Sequence, residues 1–308
     1  MPNNGIRQIS LGKLTWIDVS NPSEAHLEKM RDEHGFHDLD VEDCLSDNQR
    51  SKIDEYDDYL FIILHFPFFD KRKKQVVSEE IDIFIKNDLL VTVHTGTFKP
   101  FLDFHEACKK SSADKKLIMG QGSGYLLYEI IDQMYGSAFP ILDKLERNVA
   151  SLERTVFSWN QQKDMLRDIL NTKKNIITMR RVIQPQRRVV AQIEHKNKKF
   201  LPDRLEIYFD DVVDKIEKTW SSLENLKELI ESVQDTNESI ISHRTNEVIK
   251  ILTIFSVVIT PLTFLTGLYG MNVGLPLADS PYVFLGIIGV MMLVVSFMII
   301  LFKHKRWI

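Results

Sequence analysis

One uncharged stretch of this chain carries the residues best suited to chemistry. Thr253, Ser256, Thr260, Thr263 and Gly267 follow one another at steps of three, four, three and four. That spacing stacks side chains on one face of an α-helix. Extended backwards, the stripe takes in Asn246 and Ile249, with Leu252 near the same end; forwards it runs out at Tyr269 and Asn272. Hydroxyl and carboxamide oxygens accept hydrogen bonds from the water shell of a cation without bearing charge themselves. A hydrated ion could follow such a face and leave it again, because no carboxylate holds it. Ile249 and Leu252 are candidates for an apolar constriction that closes by dewetting. Small polar residues also mark helix–helix contacts in membranes, and the stripe alone fits that reading equally well.

The elements that must position these residues are spans of a bilayer. Between Lys250 and Lys303 only Asp279 is charged. Uncharged apolar runs cover Ile251 to Tyr269 and Tyr282 to Phe302, each about 20 residues, enough to cross about 30 Å of hydrocarbon. Gly270, Gly274, Pro276 and Pro281 between them predict a tight external turn, and hence a hairpin. Pro261 cannot donate to the carbonyl of Val257, so a bend is expected there, with neighbouring threonines or water supplying the missing partner. His243, Arg244 and Lys250 precede the first span, and Lys303, Lys305 and Arg306 follow the second, whereas the loop has no basic residue. The excess of cations places both termini on the cytoplasmic side of a cell (inner) membrane, with Trp307 as an interfacial anchor.

Tyr269-Gly270-Met271-Asn272, closing a span that carries Pro261-Leu262-Thr263-Phe264, resembles the signature of CorA-type divalent-cation transporters. The resemblance extends to two C-terminal spans, a short loop, a basic tail and a large N-terminal region. It implies a homopentamer with Gly270, Met271 and Asn272 as the selectivity motif, carrying chiefly Mg2+ with Co2+ or Ni2+ as further cargo. It also implies closure by intracellular Mg2+ bound between cytoplasmic domains, and a basic collar of Lys303, Lys305 and Arg306 near the inner mouth. Asp70, Asp210, Asp211 and Asp235 are candidates for regulatory Mg2+, each with a solvated surface charge as the plain alternative. Many magnesium-carrying members follow the signature with an acidic Met-Pro-Glu-Leu element. Here the loop reads Val-Gly-Leu-Pro-Leu-Ala-Asp, which keeps a zinc transporter of the same superfamily in view.

The rest of the chain predicts what supports the hairpin. At 308 residues with a net charge of −4, it offers one sizeable domain and no electrostatic case for nucleic-acid binding. Cys44 and Cys108 are too few and too far apart for a disulfide framework or a zinc finger. The N-terminus has no apolar signal region, so insertion falls to the C-terminal spans. Strands are expected at Lys13–Val19, Tyr59–Phe66 (ended by Pro67) and Val76–Ile85, the last pairing with Leu89–His94; helices are expected at Ala25–His34 and Phe98–Lys110. His34 and His37 with Asp38, Asp40, Glu42 and Asp43 read as a solvated acidic loop rather than a metal site. The run Gly120–Gly124 reads as a linker rather than a phosphate loop, because no strand precedes it. Two long helices follow, Tyr125–Phe157 and Gln161 to about His195, turning at Ser158-Trp159-Asn160. From Pro202, Leu205, Val212, Thr219, Leu226, Val233 and Ile240 recur every seven residues, and Phe209, Ile216, Leu223, Ile230 and Asn237 follow at four-residue offsets. That seam predicts one helix from Asp203 to about Asn272, roughly 105 Å long, buried against its own antiparallel pair or against other copies.

The fold class expected is therefore an α+β and α-helical membrane protein that forms a ring-shaped homo-oligomer. The divisions are a cytoplasmic α/β domain (1–120), a helical pair (121–200), a stalk (201–250), a pore-lining span (251–272), an external loop (273–281), a second span (282–302) and a basic tail (303–308). No nucleophile–base pair suggests an enzyme and no organic cofactor is implied. A non-transporting, membrane-anchored coiled-coil sensor remains a third reading beside the Mg2+ and zinc transporters.

Overall fold

The computed structural model describes residues 5–46, 49–158, 164–196, 200–273 and 281–307. They fall into two compact units, Met1–Gln234 and Asp235–Ile308.

The first unit is built on a six-stranded sheet of order β1-β2-β6-β5-β4-β3, comprising β1 (Ile6–Leu11), β2 (Leu14–Ser20), β3 (Lys52–Glu55), β4 (Leu60–Asp70), β5 (Gln75–Lys86) and β6 (Leu89–His94). Neighbours pair antiparallel except β2 and β6, where Thr15 stands opposite Leu89 in a parallel ladder. On one face, Ile17, Phe61, Ile63, Phe84 and Val91 pack with Leu27 and Met30 of α1 (Glu24–His34) and Val41 and Cys44 of α2 (Asp38–Leu45). The other face is covered by α3 (Lys99–Lys110), α5 (Ser123–Gly136) and α7 (Met165–Lys196), with α4 (Ser112–Met119) beside α3 and α6 (Phe139–Thr155) against α7. An apolar run such as Tyr59–Phe66 can hide only between two such layers.

Several elements differ from the sequence expectation. β1 and β3 are present although neither has an apolar run to announce it; each is an edge strand. Pro67 does not end β4. It lies opposite Ser78 of β5, beyond the four residues that β3 pairs, so its missing N–H falls where β4 is itself an edge. The acidic segment around Asp40 is helix α2, not a loop. The expected helix Tyr125–Phe157 is two helices, α5 and α6, separated at Ser137 and Ala138. Pro140 sits in the first turn of α6, where its lack of N–H costs nothing, and it could not have continued α5. The glycine run does not behave as a linker, since α5 begins at Ser123 and Gly124 lies close under Leu201 and Leu205. A Cβ at Gly124 would stand 2.8 Å from the Leu205 side chain. The proposed turn residues Trp159 and Asn160 lie outside the described residues.

After a short 3-10 turn at Asp203–Leu205, α8 runs from Glu206 to Tyr269. Its seam in the first unit is buried: Phe209, Val212, Ile216, Thr219, Leu223, Leu226, Ile230 and Val233 are each at most 5% exposed. The chain's own helices cover it. Arg187, Arg180 and Lys173 of α7 pair with Glu217, Glu224 and Glu231 of α8, and Asp132 of α5 pairs with Lys215. Of the two partners open to the seam, its own helical pair is the one found.

The second unit holds the rest of α8 and α9 (Pro281–His304), the two helices among the described residues that are long and apolar enough to cross a membrane. Phe302, in the last turn of α9, and Trp307, just past its end, stack at 5.7 Å.

Candidate functional site: the hydroxyl face of α8

Within its described residues the stripe adopts the helical geometry its spacing demands, and every hydroxyl has a defined task. Thr253 donates to the carbonyl of Ile249 (2.8 Å), Ser256 to Leu252 (3.0 Å), Thr260 to Ser256 (2.7 Å) and Thr263 to Ile259 (3.0 Å). Each hydroxyl hydrogen is thus spent on the backbone one turn earlier, a back-bond that satisfies the donor within the helix. The oxygen lone pairs remain and present acceptors along the face. Acceptors are what the water shell of a cation requires. Thr266, which the sequence reading left out, belongs to the same ladder and donates to Leu262 and Thr263. Its i+3 relation to Thr263 was a signal available in the spacing.

Pro261 lies inside α8. The Thr260 hydroxyl, one of the neighbours offered as a partner for the Val257 carbonyl, donates instead to Ser256. Towards the N-terminal end of the stripe, Ile249 and Leu252 are 54% and 65% exposed, large apolar side chains at the surface of this chain. Asn246 is exposed one turn before them.

The helix closes at Tyr269, and the signature forms the turn beyond it. Gly270 N–H donates to Thr266 O at 2.9 Å, and Met271 N–H to Leu268 O at 3.4 Å. A side chain at position 270 would press on the Thr266 carbonyl, only 3.1 Å from an ideal Cβ, so glycine lets the chain turn tightly here. Asn272 follows, exposed, just outside the helix end. The last carbonyls of a helix carry partial negative charge, so helix terminus and carboxamide favour a cation at the same place. At the other end of the hairpin, Lys303 lies in the last turn of α9, and Lys250 donates to the carbonyl of Arg306 at 3.3 Å. Lys305 and Arg306 are exposed.

Two of the acidic candidates have local roles. Asp70 ends β4, and its Oδ1 accepts from the backbone N–H of Arg72 (2.8 Å) and Lys73 (3.1 Å). Those bonds hold its carboxyl below the usual range. Asp211 pairs with Lys215 at 2.5 Å, while Asp210 and Asp235 are exposed on α8. Among the described residues no group of three or more His, Cys, Asp or Glu side chains is arranged to hold a metal. The His34–Asp43 segment is likewise committed. His37 Nδ1 caps α2 by accepting from Leu39 N–H, Asp40 accepts from Tyr56 (3.0 Å) and Tyr59 (2.6 Å), and Asp43 pairs with Lys52.

Sequence reasoning missed the polar network inside the sheet. Asp18 is fully buried and accepts from Thr92 (2.8 Å) and His94 Nε2 (3.1 Å), while Arg7 closes on its other oxygen at 2.6 Å. His94 Nδ1 accepts from Gly96 N–H, which leaves the ring proton on Nε2, aimed at the carboxylate. Burial pushes the Asp18 carboxyl up, but the hydrogen bond and charge of His94, the charge of His105 and the hydrogen bond from Thr92 together outweigh it and hold it below its ordinary 3.8.

Residues 12–304 match the family described as CorA-like Mg2+ transporter protein. The chain is 28% identical to the putative metal ion transporter YfjQ of Bacillus subtilis over 95% of its length and 89% of that protein. It is 26% identical to the cobalt/magnesium transport protein CorA of Thermotoga maritima, over 96% of this chain and 83% of that one. The complete structure of the CorA magnesium transporter from Methanocaldococcus jannaschii superposes with a TM-score of 0.82 at 24% identity, covering 97% of this chain and 94% of the other. With its α/β domain, long helix and apolar hairpin, this chain belongs to the CorA-like family of divalent-cation transporters.

Proposed function

We propose that copies of this chain assemble as a ring, a homopentamer, in which α8 lines a path for hydrated divalent cations, chiefly Mg2+. The observation that carries this reading is the back-bonded ladder at Thr253, Ser256, Thr260 and Thr263, which leaves acceptor oxygens in line. Several such ladders around an axis would face the donor hydrogens of an ion's water shell, and the absence of carboxylates lets the ion leave. Gly270, Met271 and Asn272 form the selectivity entrance, and the Asn272 carboxamides contribute an uncharged acceptor collar. Ile249 and Leu252 narrow the inner end, and Lys303, Lys305 and Arg306 ring it.

The hairpin lies in the cell membrane with both termini cytoplasmic and the 273–281 loop outside, following the distribution of basic residues. Cytosolic Mg2+ acting on Asp70, Asp210, Asp211 or Asp235 between subunits closes the path by relieving carboxylate repulsion.

The decisive experiment is uptake into liposomes containing the purified full chain, with Mg2+, Co2+, Ni2+ and Zn2+ supplied singly. Mg2+ uptake should dominate, and Asn272→Ala should lower it about tenfold or more, since hydrogen bonds to charged species are worth about 1.5–3 kcal/mol. Zinc uptake without magnesium uptake would replace the cargo; unaltered Mg2+ flux in Asn272→Ala would remove the collar from the mechanism. No uptake of any ion would leave an anchored sensor.

A further inference from the structure

The first unit contains a cleft of about 1210 Å3 between the β3 edge and α7, remote in sequence from the hydroxyl face. One wall is the segment Arg50–Ile53, the other a face of α7 on which Thr178, Arg181, Pro185, Arg188 and Gln192 recur at helical spacing. The charges are lopsided in a chain of net −4. Arg50, Lys52, Arg181, Arg187 and Arg188 line the cleft against Glu217 as its acidic residue.

Not all of those cations are available. Lys52 is held by Asp43 (2.7 Å) and Asp54 (2.6 Å), and Arg187 is held in two-pronged fashion by Glu217 at 2.6 and 2.7 Å. Arg50, Arg181 and Arg188 are exposed and form no ion pair among the described residues. Three guanidiniums line one concavity with no carboxylate among the described residues paired to them; they repel one another, and an anion would relieve that repulsion. Guanidinium forks match the paired oxygens of phosphate in a way that ammonium groups do not.

Geometry narrows the class of anion. Arg181 and Arg188 stand seven residues apart on α7, two turns or roughly 10 Å along the axis. A single tetrahedral ion would have to draw both arms, and Arg50 across the cleft, in to one point. A chain of linked phosphates is long enough. No Phe, Tyr or Trp side chain lines the cleft among the described residues, and the His65 ring there is held between Glu80 and Ser51, so recognition rests on the phosphates. We propose that this cleft binds a linear oligophosphate, supplied either as a nucleoside triphosphate or as inorganic polyphosphate. The ligand would seat beside Arg187, whose pairing with Glu217 ties α7 to the helix that continues into the first span.

The test is calorimetric titration of the detergent-solubilised full chain, in metal-free buffer at physiological salt, with inorganic tripolyphosphate and separately with ATP. Binding is read without flux, so the result is independent of which ion the protein carries. Saturable binding of tripolyphosphate is expected, with sulfate failing to compete at equal ionic strength. Similar affinities for ATP and tripolyphosphate would mean that phosphates suffice, and tighter ATP binding would single out the nucleotide as the source. The double variant Arg181→Gln/Arg188→Gln should weaken binding about tenfold or more, the scale of charge-assisted hydrogen bonds. Arg50→Gln should weaken it independently, and unchanged thermal unfolding would show that each variant folds. Arg72→Gln/Lys73→Gln, on the cationic β4–β5 turn, should leave affinity unaltered. The proposal fails if tripolyphosphate does not saturate, as when a second copy covers the cleft in the assembly. It fails equally if sulfate competes, or if the turn variant weakens binding as much as the cleft variants.

Discussion

At the scale of single residues, two buried carboxyls on opposite faces of the sheet respond oppositely to pH. Asp18 is held below its ordinary value by hydrogen-bond donors. The folded state therefore binds fewer protons there than the unfolded chain, and the stability this gives is present above about 3.8 and lost as pH falls through the lowered value. Asp18→Ala should destabilise the first unit by about 3–5 kcal/mol at neutral pH, because Arg7 would lose its buried partner. Denaturant titration measures this, and a cost below 1 kcal/mol would reduce the network to a surface-like contact. Asp82 is 3% exposed, beside Cys44 and Glu80, and burial followed by the charge of Glu80 raises its carboxyl well above 3.8. Here the folded state binds the extra proton. Stability contributed at low pH is lost as pH rises from 3.8 towards the raised value. Asp82→Asn should accordingly flatten the fall of melting temperature with rising pH, whereas an identical slope in parent and variant would show that another group titrates.

At the scale of elements, α8 was the most legible part of the chain and the small edge strands the least. A seam repeated over five heptads survives any local preference, and it is buried from Leu205 to Val233 as its period requires. What periodicity could not say was which surface covers it, since a seam looks alike whether its partner is cis or trans. The ion pairs from α7 answer that for the first unit. β3, Lys-Ile-Asp-Glu, carries a single apolar residue, and its place comes wholly from pairing with β4. Asp40 and Asp18 were opaque for a related reason: an acidic residue reads as solvated until tertiary contacts bring Tyr59 or His94 to it. The hydroxyl stripe was readable because backbone spacing alone sets its geometry. The α7–α8 seam divides its energy unequally. Leu223 is fully buried, and Leu223→Ala should cost about 2–5 kcal/mol. Arg187 and Glu217 are partly exposed, so their double-mutant cycle should give a coupling of at most about 1 kcal/mol. Equal values from the two experiments would mean that charge rather than packing joins these helices.

At the scale of the whole molecule, the question is how a channel made from such chains would know the cytosolic ion concentration. Since the seam of α8 is filled by the chain's own helices in the first unit, contact between copies must use other surfaces. The exposed carboxylates of α8 lie off that seam: Asp210 and Asp211 are exposed while their neighbours Phe209 and Val212 are buried. Asp211 already has Lys215 at 2.5 Å, which also meets Asp132 at 2.6 Å, so a cation arriving at Asp211 competes with an ammonium. Asp210 lies one residue earlier. If subunits bring such carboxylates together, their repulsion favours separation and a divalent ion between them favours approach. Asp210→Ala/Asp211→Ala removes the repulsion together with the ion's ligands, while Asp210→Lys/Asp211→Lys places like charges where the ion would sit. The lysine variant should stay open at cytosolic Mg2+ concentrations that close the parent, read as Mg2+ influx into liposomes preloaded with the ion. The alanine variant should lose sensitivity to internal Mg2+, with its basal flux free to settle either way. Closure at an unchanged internal concentration in both variants would clear these positions of the regulatory role and turn attention to Asp70 and Asp235.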